Sequence, residues 1–133
     1  MESRGLLRAL LPGLIVLGVH LVLWQATPAY RVWPWLDRVV HAAGGAAAAW
    51  AVLCLMRAPQ GAAWWGRHRA GGRGEALALL AWLGLVVVCW EFFEWGLDAG
   101  GLNPNARTDD ETIADMGLGM MGGLGLIALT RRR

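Results

Sequence analysis

Charged residues are scarce in this sequence, at 17% of its 133 positions, whereas hydrophobic residues make up 56%. A soluble domain of this length exposes more surface than so few charged residues can cover, so the composition argues against a soluble enzyme and a disordered tail. Lysine is absent, and the net charge is only +2. Nucleic-acid binding therefore has no electrostatic support.

The apolar residues fall into four long runs, each of about 18–22 residues, the length that crosses the hydrocarbon core of a bilayer as a helix. Strands of a membrane barrel would alternate apolar and polar residues, and these runs do not. We predict an all-α polytopic membrane protein, a bundle of four antiparallel transmembrane helices in which residues 1–133 form a single transmembrane domain. The predicted spans are Leu6–Trp24, Leu36–Met56, Ala76–Leu97 and Thr112–Thr130.

Cysteine is nearly absent as well, with only Cys54 and Cys89 in the chain. Cys54 lies near one end of the second span, and Cys89 lies about two thirds of the way across the third. Their depths differ by about 15 Å at 1.5 Å per residue. A disulfide cannot bridge that distance, so we expect two free thiols.

Arginine placement predicts the orientation of the bundle. All 12 basic residues are arginine, and nine of them lie at the two termini and in the loop between the second and third spans. The positive-inside rule then places both termini and that loop in the cytoplasm. One alternative stays open: Arg4 and Arg8 could begin a signal peptide cleaved near Thr27, although the first apolar run is long for such a peptide.

Tryptophan is abundant, with nine residues, and most lie at predicted span ends. Such positions are typical of side chains that anchor helices at the two membrane interfaces, with the lipid bilayer as the partner. The expected anchors are Trp24, Trp33, Trp35 and Trp95 at the outer boundary and Trp64 and Trp65 at the inner one.

Ionisable residues at membrane depth are costly and need partners or a purpose. Asp37 and His41 are four residues apart on one helix face, and His20 lies near the end of the first span. The third span ends with Glu91, Glu94 and Asp98 on one face, and the fourth opens with Glu111 and Asp115. Because the spans alternate in direction, all of these residues are expected at the same, outer end of the bundle.

Small residues continue the faces that carry these ionisable groups. They are Gly44, Gly45 and Ala48 behind His41, Gly119 and Gly122 behind Asp115, and Gly84 two turns before Glu91. Small residues let helix backbones approach closely in lipid. We therefore expect the helices to close tightly below the polar residues and to bring the carboxylates together.

A cluster of carboxylates in a low dielectric must hold protons, bind a cation or stay hydrated. Imidazole together with carboxylate suits zinc, iron or manganese, so a divalent metal is a candidate cofactor, while the residues alone leave the cofactor unknown. For acid–base chemistry the candidates are Glu91 or Glu94 as base and His41 as ligand or acid, and no serine or cysteine nucleophile accompanies them. The candidate metal ligands are Asp37, His41, Glu91, Glu94, Asp115 and Glu111.

Several of these residues also have purely structural interpretations. Asp37 could cap the second span, and Glu111 forms a capping-box pattern with Thr108. A single intramembrane histidine such as His20 is more often a hydrogen-bonded interior residue than a metal ligand. These alternatives stay open at the level of sequence.

Three segments carry a family resemblance: LDRVVHAAGG, WEFFEW and DDETIADMGLGMMGG. They are similar to the VanZ-like and YjdF-like small bacterial inner-membrane proteins, over about Leu36–Gly123. The resemblance marks Asp37, His41, Glu91, Glu94, Glu111 and Asp115 as shared polar positions. Gly119 departs from the pattern, which has Asp or Asn there in many relatives.

The resemblance implies a multi-pass protein of the bacterial inner membrane with a cell-envelope role. For VanZ itself that role is resistance to glycopeptide antibiotics by an undefined mechanism. No established reaction is attached to the family, so the resemblance leaves the function open.

Three functions are compatible with these observations. The first is a polar site that binds a divalent cation or a lipid-linked envelope headgroup. The second is a non-catalytic structural or accessory subunit, in a homo-oligomer or a larger membrane complex. The third, proton- or ion-coupled transport, is the weakest because the chain shows no inverted repeat or broken helix.

Overall fold

The computed structural model describes residues 3–58, 71–101 and 109–131, and within these ranges it contains helices and no strand. Helix α1 (Ser3–Leu21) is followed directly by a short π-helical turn, Val22–Ala26. The helices are α1 (Ser3–Leu21), α2 (Ala29–Val32), α3 (Trp35–Arg57), α4 (Gly71–Ala99) and α5 (Asp109–Arg131).

Four stretches of the described chain are long and apolar enough to cross a membrane, and each boundary lies within two residues of the prediction. The all-α polytopic fold is therefore confirmed, whereas the orientation of the termini stays a prediction. Trp64, Trp65 and Thr108 lie outside the described residues. The four stretches are Gly5–Ala26, Trp35–Arg57, Gly74–Ala99 and Glu111–Thr130.

Helix α3 is the centre of the bundle. It packs most extensively against α5 and also contacts α1 and α4, while α5 contacts α4. The backbones of α1 and α4 do not approach each other closely in the described part of the chain. Helices α1 and α4 therefore pack against α3 separately, and a space lies between them.

The predicted close approach of small residues is confirmed between α3 and α5. A Cβ atom built on Gly45 would overlap the backbone of Gly119, and one built on Gly122 would overlap the backbone of Ala42. Glycine is required at these two positions because the neighbouring backbone occupies the space of a side chain. The prediction is wrong for Gly84, where a Cβ would meet nothing within 4 Å, so α4 does not close on its neighbours there.

The end of the bundle opposite the ionisable residues has an apolar core. Its buried members come from α3, α4 and α5, and they are Ala49, Val52, Leu53, Leu79 and Ile127. Both cysteines are free thiols, as predicted, with Cys54 half-buried and Cys89 exposed.

The expected anchor tryptophans have two different environments. Trp33, Trp35 and Trp95 are exposed on the bundle surface, where they are free to meet lipid. Trp24 is half-buried and stacks on the ring of His20. Interfacial anchoring stays a prediction for the first three, while Trp24 also packs against the polar end of the bundle.

Candidate functional site

Ionisable side chains from all four long helices meet at one end of the bundle. Five of them are less than a tenth exposed: His20 of α1, His41 of α3, Glu91 and Glu94 of α4, and Asp115 of α5. This end is the carboxyl-terminal end of α1 and α4 and the amino-terminal end of α3 and α5, as antiparallel threading predicts. We call these five residues together with Asp37 the polar cluster.

The segment after α1 is shaped by a threonine and a proline. The π-helical turn ends at Thr27, whose extended backbone is the conformation favoured before Pro28. The Thr27 hydroxyl donates to the Leu23 carbonyl at 2.8 Å and accepts from the Ala29 backbone N–H at 3.2 Å. These contacts stop α1 and start α2, which brings Tyr30 back over the end of α1.

His20 has a contact at each of its ring nitrogens. Its Nδ1 lies 3.0 Å from the Tyr30 hydroxyl, and its Nε2 lies 3.1 Å from Glu94 Oε1. When Glu94 is ionised it can only accept, so Nε2–H donates to it, and in the neutral tautomer Nδ1 then accepts from Tyr30. The interpretation of His20 as a hydrogen-bonded interior residue fits this geometry, in which His20 links Tyr30 to Glu94.

His41 is the hub of the polar cluster. Its Nδ1 lies 3.3 Å from Glu91 Oε1, and its Nε2 lies 3.7 Å from both Asp37 Oδ1 and Glu94 Oε2 and 3.8 Å from Asp115 Oδ2. The three carboxylates around Nε2 come from α3, α4 and α5. One imidazole edge is thus surrounded by acids from three helices.

The distances from His41 Nε2 to the three carboxylate oxygens are too long for hydrogen bonds but short enough for a bridging cation. They exceed the roughly 2.7–3.2 Å of a hydrogen bond. They are shorter than about 4.0–4.3 Å, the sum of a metal–nitrogen bond and a metal–oxygen bond. A cation placed between the imidazole and a carboxylate can therefore reach both with a bent nitrogen–metal–oxygen angle.

Two groups of side chains in the described residues have the spacing of metal ligands. In each group the ligand atoms all lie within 4.8 Å of one another. Both groups contain His41, joined either by Asp37 and Asp115 or by Glu91 and Glu94. Five of the six predicted metal ligands are thereby brought together.

Glu111 is the predicted ligand that the structure leaves outside both groups. It is exposed at the start of α5, one turn before the buried Asp115. Asp37 is not the N-cap residue of α3, which is Pro34, and instead lies in the first turn of the helix. Asp98 is half-buried one turn beyond Glu94, and its Oδ1 has no hydrogen-bond partner in the described chain.

Tyr30 and Trp90 belong to the site although the sequence analysis did not select them. The Trp90 ring packs edge-on against His20, with centroids 5.2 Å apart. Trp90 precedes Glu94 by four residues, so helical spacing alone could have indicated it. Tyr30 follows a turn in a short segment, and no periodic pattern marks such a residue.

Gly119, where the sequence departs from the pattern that it resembles, lies where α5 meets α3. A Cβ at this position would lie 3.1 Å from Val87 Cγ2, and the backbone of Gly119 fills the space beside Gly45. A side chain at this position would meet Val87 of α4, which would have to shift by a few tenths of an ångström to make room. Glycine at this position instead allows the backbones of α5 and α3 to lie in close contact.

Comparison with known proteins gives one family. A family model described as "Predicted membrane protein (DUF2238)" matches residues 4–133. No curated protein matches the chain, and no solved structure does. Since the match covers nearly the whole sequence, the chain belongs to this family of predicted membrane proteins, DUF2238.

Proposed function

We propose that this protein binds a divalent transition-metal cation inside the membrane, with His41 as the central ligand. The observation that carries the proposal is the position of His41 Nε2, 3.7–3.8 Å from carboxylate oxygens of Asp37, Glu94 and Asp115. Three acids gathered on one buried imidazole edge repel one another in a low dielectric. A cation bound between the three carboxylates attracts each of them and so offsets that repulsion.

The ligand chemistry favours zinc, manganese or iron over magnesium or calcium. Mg²⁺ and Ca²⁺ prefer sites made of oxygen atoms alone. An imidazole nitrogen combined with carboxylates suits the first-row transition metals. Each of the two ligand groups supplies three protein ligands, which leaves at least one coordination position for water or another molecule.

The contacts of His20 and Tyr30 support the same proposal. Metal-ligating side chains are usually held by further hydrogen bonds that fix their orientation. Glu94 offers Oε2 towards His41 while its Oε1 is held by His20, which in turn contacts Tyr30. The chain from Tyr30 to Glu94 therefore positions one ligand before any cation arrives.

A bound cation also gives the acid–base candidates a role. A metal-bound water is a stronger acid than bulk water and needs a nearby base. Whichever of Glu91 and Glu94 does not ligate the cation would lie close enough to His41 to accept a proton from that water. The resemblance to VanZ-like and YjdF-like proteins adds a cell-envelope setting to this proposal, with the cluster at the extracytoplasmic face.

Metal analysis of the purified protein tests the proposal. We expect about one zinc or manganese ion per wild-type chain, measured by elemental mass spectrometry and by titration calorimetry with ZnCl₂ and MnCl₂. The Glu91→Gln/Glu94→Gln double variant should lose that ion. Glu75→Gln is the matched control, since Glu75 lies on the same helix α4, about 24 Å from Glu91 at 1.5 Å per residue.

Thermal stability gives a second measurement on the wild-type protein. A cation at 100 times its dissociation constant stabilises the folded state by about 2.7 kcal/mol, so chelation should lower the melting temperature. An absence of bound metal, together with a melting temperature that saturating zinc and manganese leave unchanged, contradicts the proposal. That result does not depend on whether a variant folds.

A structural role is the second candidate, and one observation favours it. The contacts of His20 with Tyr30 and Glu94, at 3.0 and 3.1 Å, join α1, α2 and α4 without any ligand. A polar cluster that only sets the register of the helices predicts no metal in the wild type. It also predicts that the Glu91→Gln/Glu94→Gln variant keeps its fold.

A further inference from the structure

A cleft of about 340 Å³ lies between α1, α3 and α4 and opens from the polar cluster. Its volume is at the lower end of the roughly 300–1,000 Å³ typical of small-molecule sites. Its floor is the small-residue face of α3, and its walls are apolar side chains of α1 and α4. The floor includes Gly44 and Ala48, and the walls include Leu10, Val16, Trp82 and Val86.

One end of this cleft is polar and the rest is apolar. In the described residues, the ionisable groups that line it are His20, His41, Glu91 and Asp115. Glu91 is 4% exposed, and its Oε1 has no hydrogen bond of good geometry within the described chain, although His41 Nδ1 lies 3.3 Å away. Glu91 thus lines the polar end of the cleft, with its carboxylate buried beside His41.

The cleft has the length of one bilayer leaflet. From His20 to Leu10 along α1 the distance is about 15 Å at 1.5 Å per residue, and from His41 to Leu55 along α3 it is about 21 Å. Half of a hydrocarbon core about 30 Å thick is about 15 Å. A ligand that fills the cleft is therefore long and apolar, with a polar group at one end only.

A transmembrane helix of a partner does not fit this space. At the polar end the walls are joined by the contact between His20 and Glu94 at 3.1 Å and by the packing of His20 against Trp90. A helix with side chains is about 10–12 Å wide and cannot pass between them. A hydrocarbon chain is thin enough to lie along the floor of Gly44 and Ala48.

We propose that the cleft holds one hydrocarbon chain of a phosphate-headed lipid, whose phosphate oxygen completes the coordination of the cation at His41. The inference rests on the proposed function. The carboxylates of Glu91 and Asp115 repel a phosphate group directly, whereas a cation with an open position attracts it. The ligand class is thus an amphiphile with a metal-binding anionic head and a tail of about one leaflet in length.

Photolabelling with a chosen probe tests the inference. The probe is dodecyl phosphate carrying a diazirine at mid-chain, added to full-length protein in detergent with and without zinc or manganese. We expect cation-dependent labelling of peptides that line the cleft, and loss of at least about tenfold of it after chelation. Unlabelled dodecyl phosphate should compete, whereas inorganic phosphate and dodecyltrimethylammonium should not.

A pair of substitutions on α3 separates the cleft from the cation site. Ala48→Leu fills the floor of the cleft and should abolish labelling while the protein still binds its cation. Ala43→Leu adds the same side chain to an exposed face of α3 and should leave labelling unchanged. Calorimetry with ZnCl₂ on both variants shows whether the cation site is intact.

The possible failures are distinguishable. If the wild type binds no cation, the proposed function fails and this inference fails with it. If the cation binds but the cleft is not labelled, or if labelling survives chelation or the Ala48→Leu change, only the inference about the lipid is overturned. Equal competition by dodecyltrimethylammonium also overturns it, because binding would then depend on the hydrocarbon tail and not on the phosphate head.

Discussion

The two ends of the bundle are built by different physical means. At one end His20, His41, Glu91, Glu94 and Asp115 are buried and contact one another through imidazole–carboxylate pairs. At the other end Leu53, Leu79, Ile127 and their neighbours form a core of apolar side chains. Between the ends, glycines of α3 and α5 join backbone to backbone.

The difference shows which forces can specify a helix arrangement in lipid. Apolar side chains gain little by leaving a hydrocarbon solvent, so the apolar end is held by packing alone. Ionisable side chains gain a great deal by leaving lipid for a polar partner. The polar end therefore determines which faces of the helices meet, and the apolar end and the glycine contacts determine how closely they meet.

The glycine contacts between the two ends should be the most sensitive point. Gly122→Ala places a methyl group against the backbone of Ala42. We expect a loss of about 1–3 kcal/mol in the free energy of unfolding. Thermal denaturation of the purified protein measures it. Gly125→Ala, on the same helix with open space around it, is the control.

Both ends should be weakened by Gly122→Ala, because α3 carries residues of each. Metal affinity and thermal stability are therefore expected to fall together. Equal melting temperatures for Gly122→Ala and Gly125→Ala would show that α3 and α5 are not in backbone contact.

A change confined to the apolar end should be smaller and should leave the polar end intact. Leu79→Ala removes a side chain that is 3% exposed, and the expected cost is about 2 kcal/mol, at the low end for such changes, because lipid solvates apolar groups well. Leu77→Ala, at a position 67% exposed on the same helix, should cost little. Calorimetry with ZnCl₂ should give the same affinity for both variants, and a tenfold loss of affinity in Leu79→Ala would contradict the independence of the two ends.

The smallest effect is expected at the edge of the polar end. Tyr30→Phe removes the hydroxyl that contacts His20 Nδ1, with an expected cost of about 1 kcal/mol in stability. Because His20 holds Glu94, metal affinity should fall by about tenfold. Trp33→Phe, an exposed aromatic change three residues away, is the control, and equal metal affinity in the two variants would mean that Tyr30 does not position the ligand.

Much of the fold could be predicted from runs of apolar residues. A helix needs a minimum length to cross hydrocarbon, so the span boundaries follow from composition and lie within two residues of the apolar stretches of the structure that are long enough to cross a membrane. The gathering of Asp37, His41, Glu91, Glu94 and Asp115 at one end follows from the alternating direction of the spans. The depth of each of these residues in the membrane follows from its position along its span, because a helix rises about 1.5 Å per residue.

The rotation of each helix about its axis is much harder to predict. Large apolar side chains cover the outside of every span, so no amphipathic stripe separates the interior face from the lipid face. Glu111 and Asp115 are one turn apart, yet only Asp115 is buried. Gly84 looks equivalent to Gly45 in sequence but has no neighbour within 4 Å.

The sequence by itself determined the number of spans, their ends and the depth of the ionisable residues, because bilayer thickness converts position along the chain into depth. Only the tertiary structure decided that α1 and α4 both pack against α3 with a cleft between them. It also decided that His20 contacts Tyr30 and Glu94. Lateral packing in lipid depends on the fit of side chains between helices, and no local pattern of residues encodes that fit.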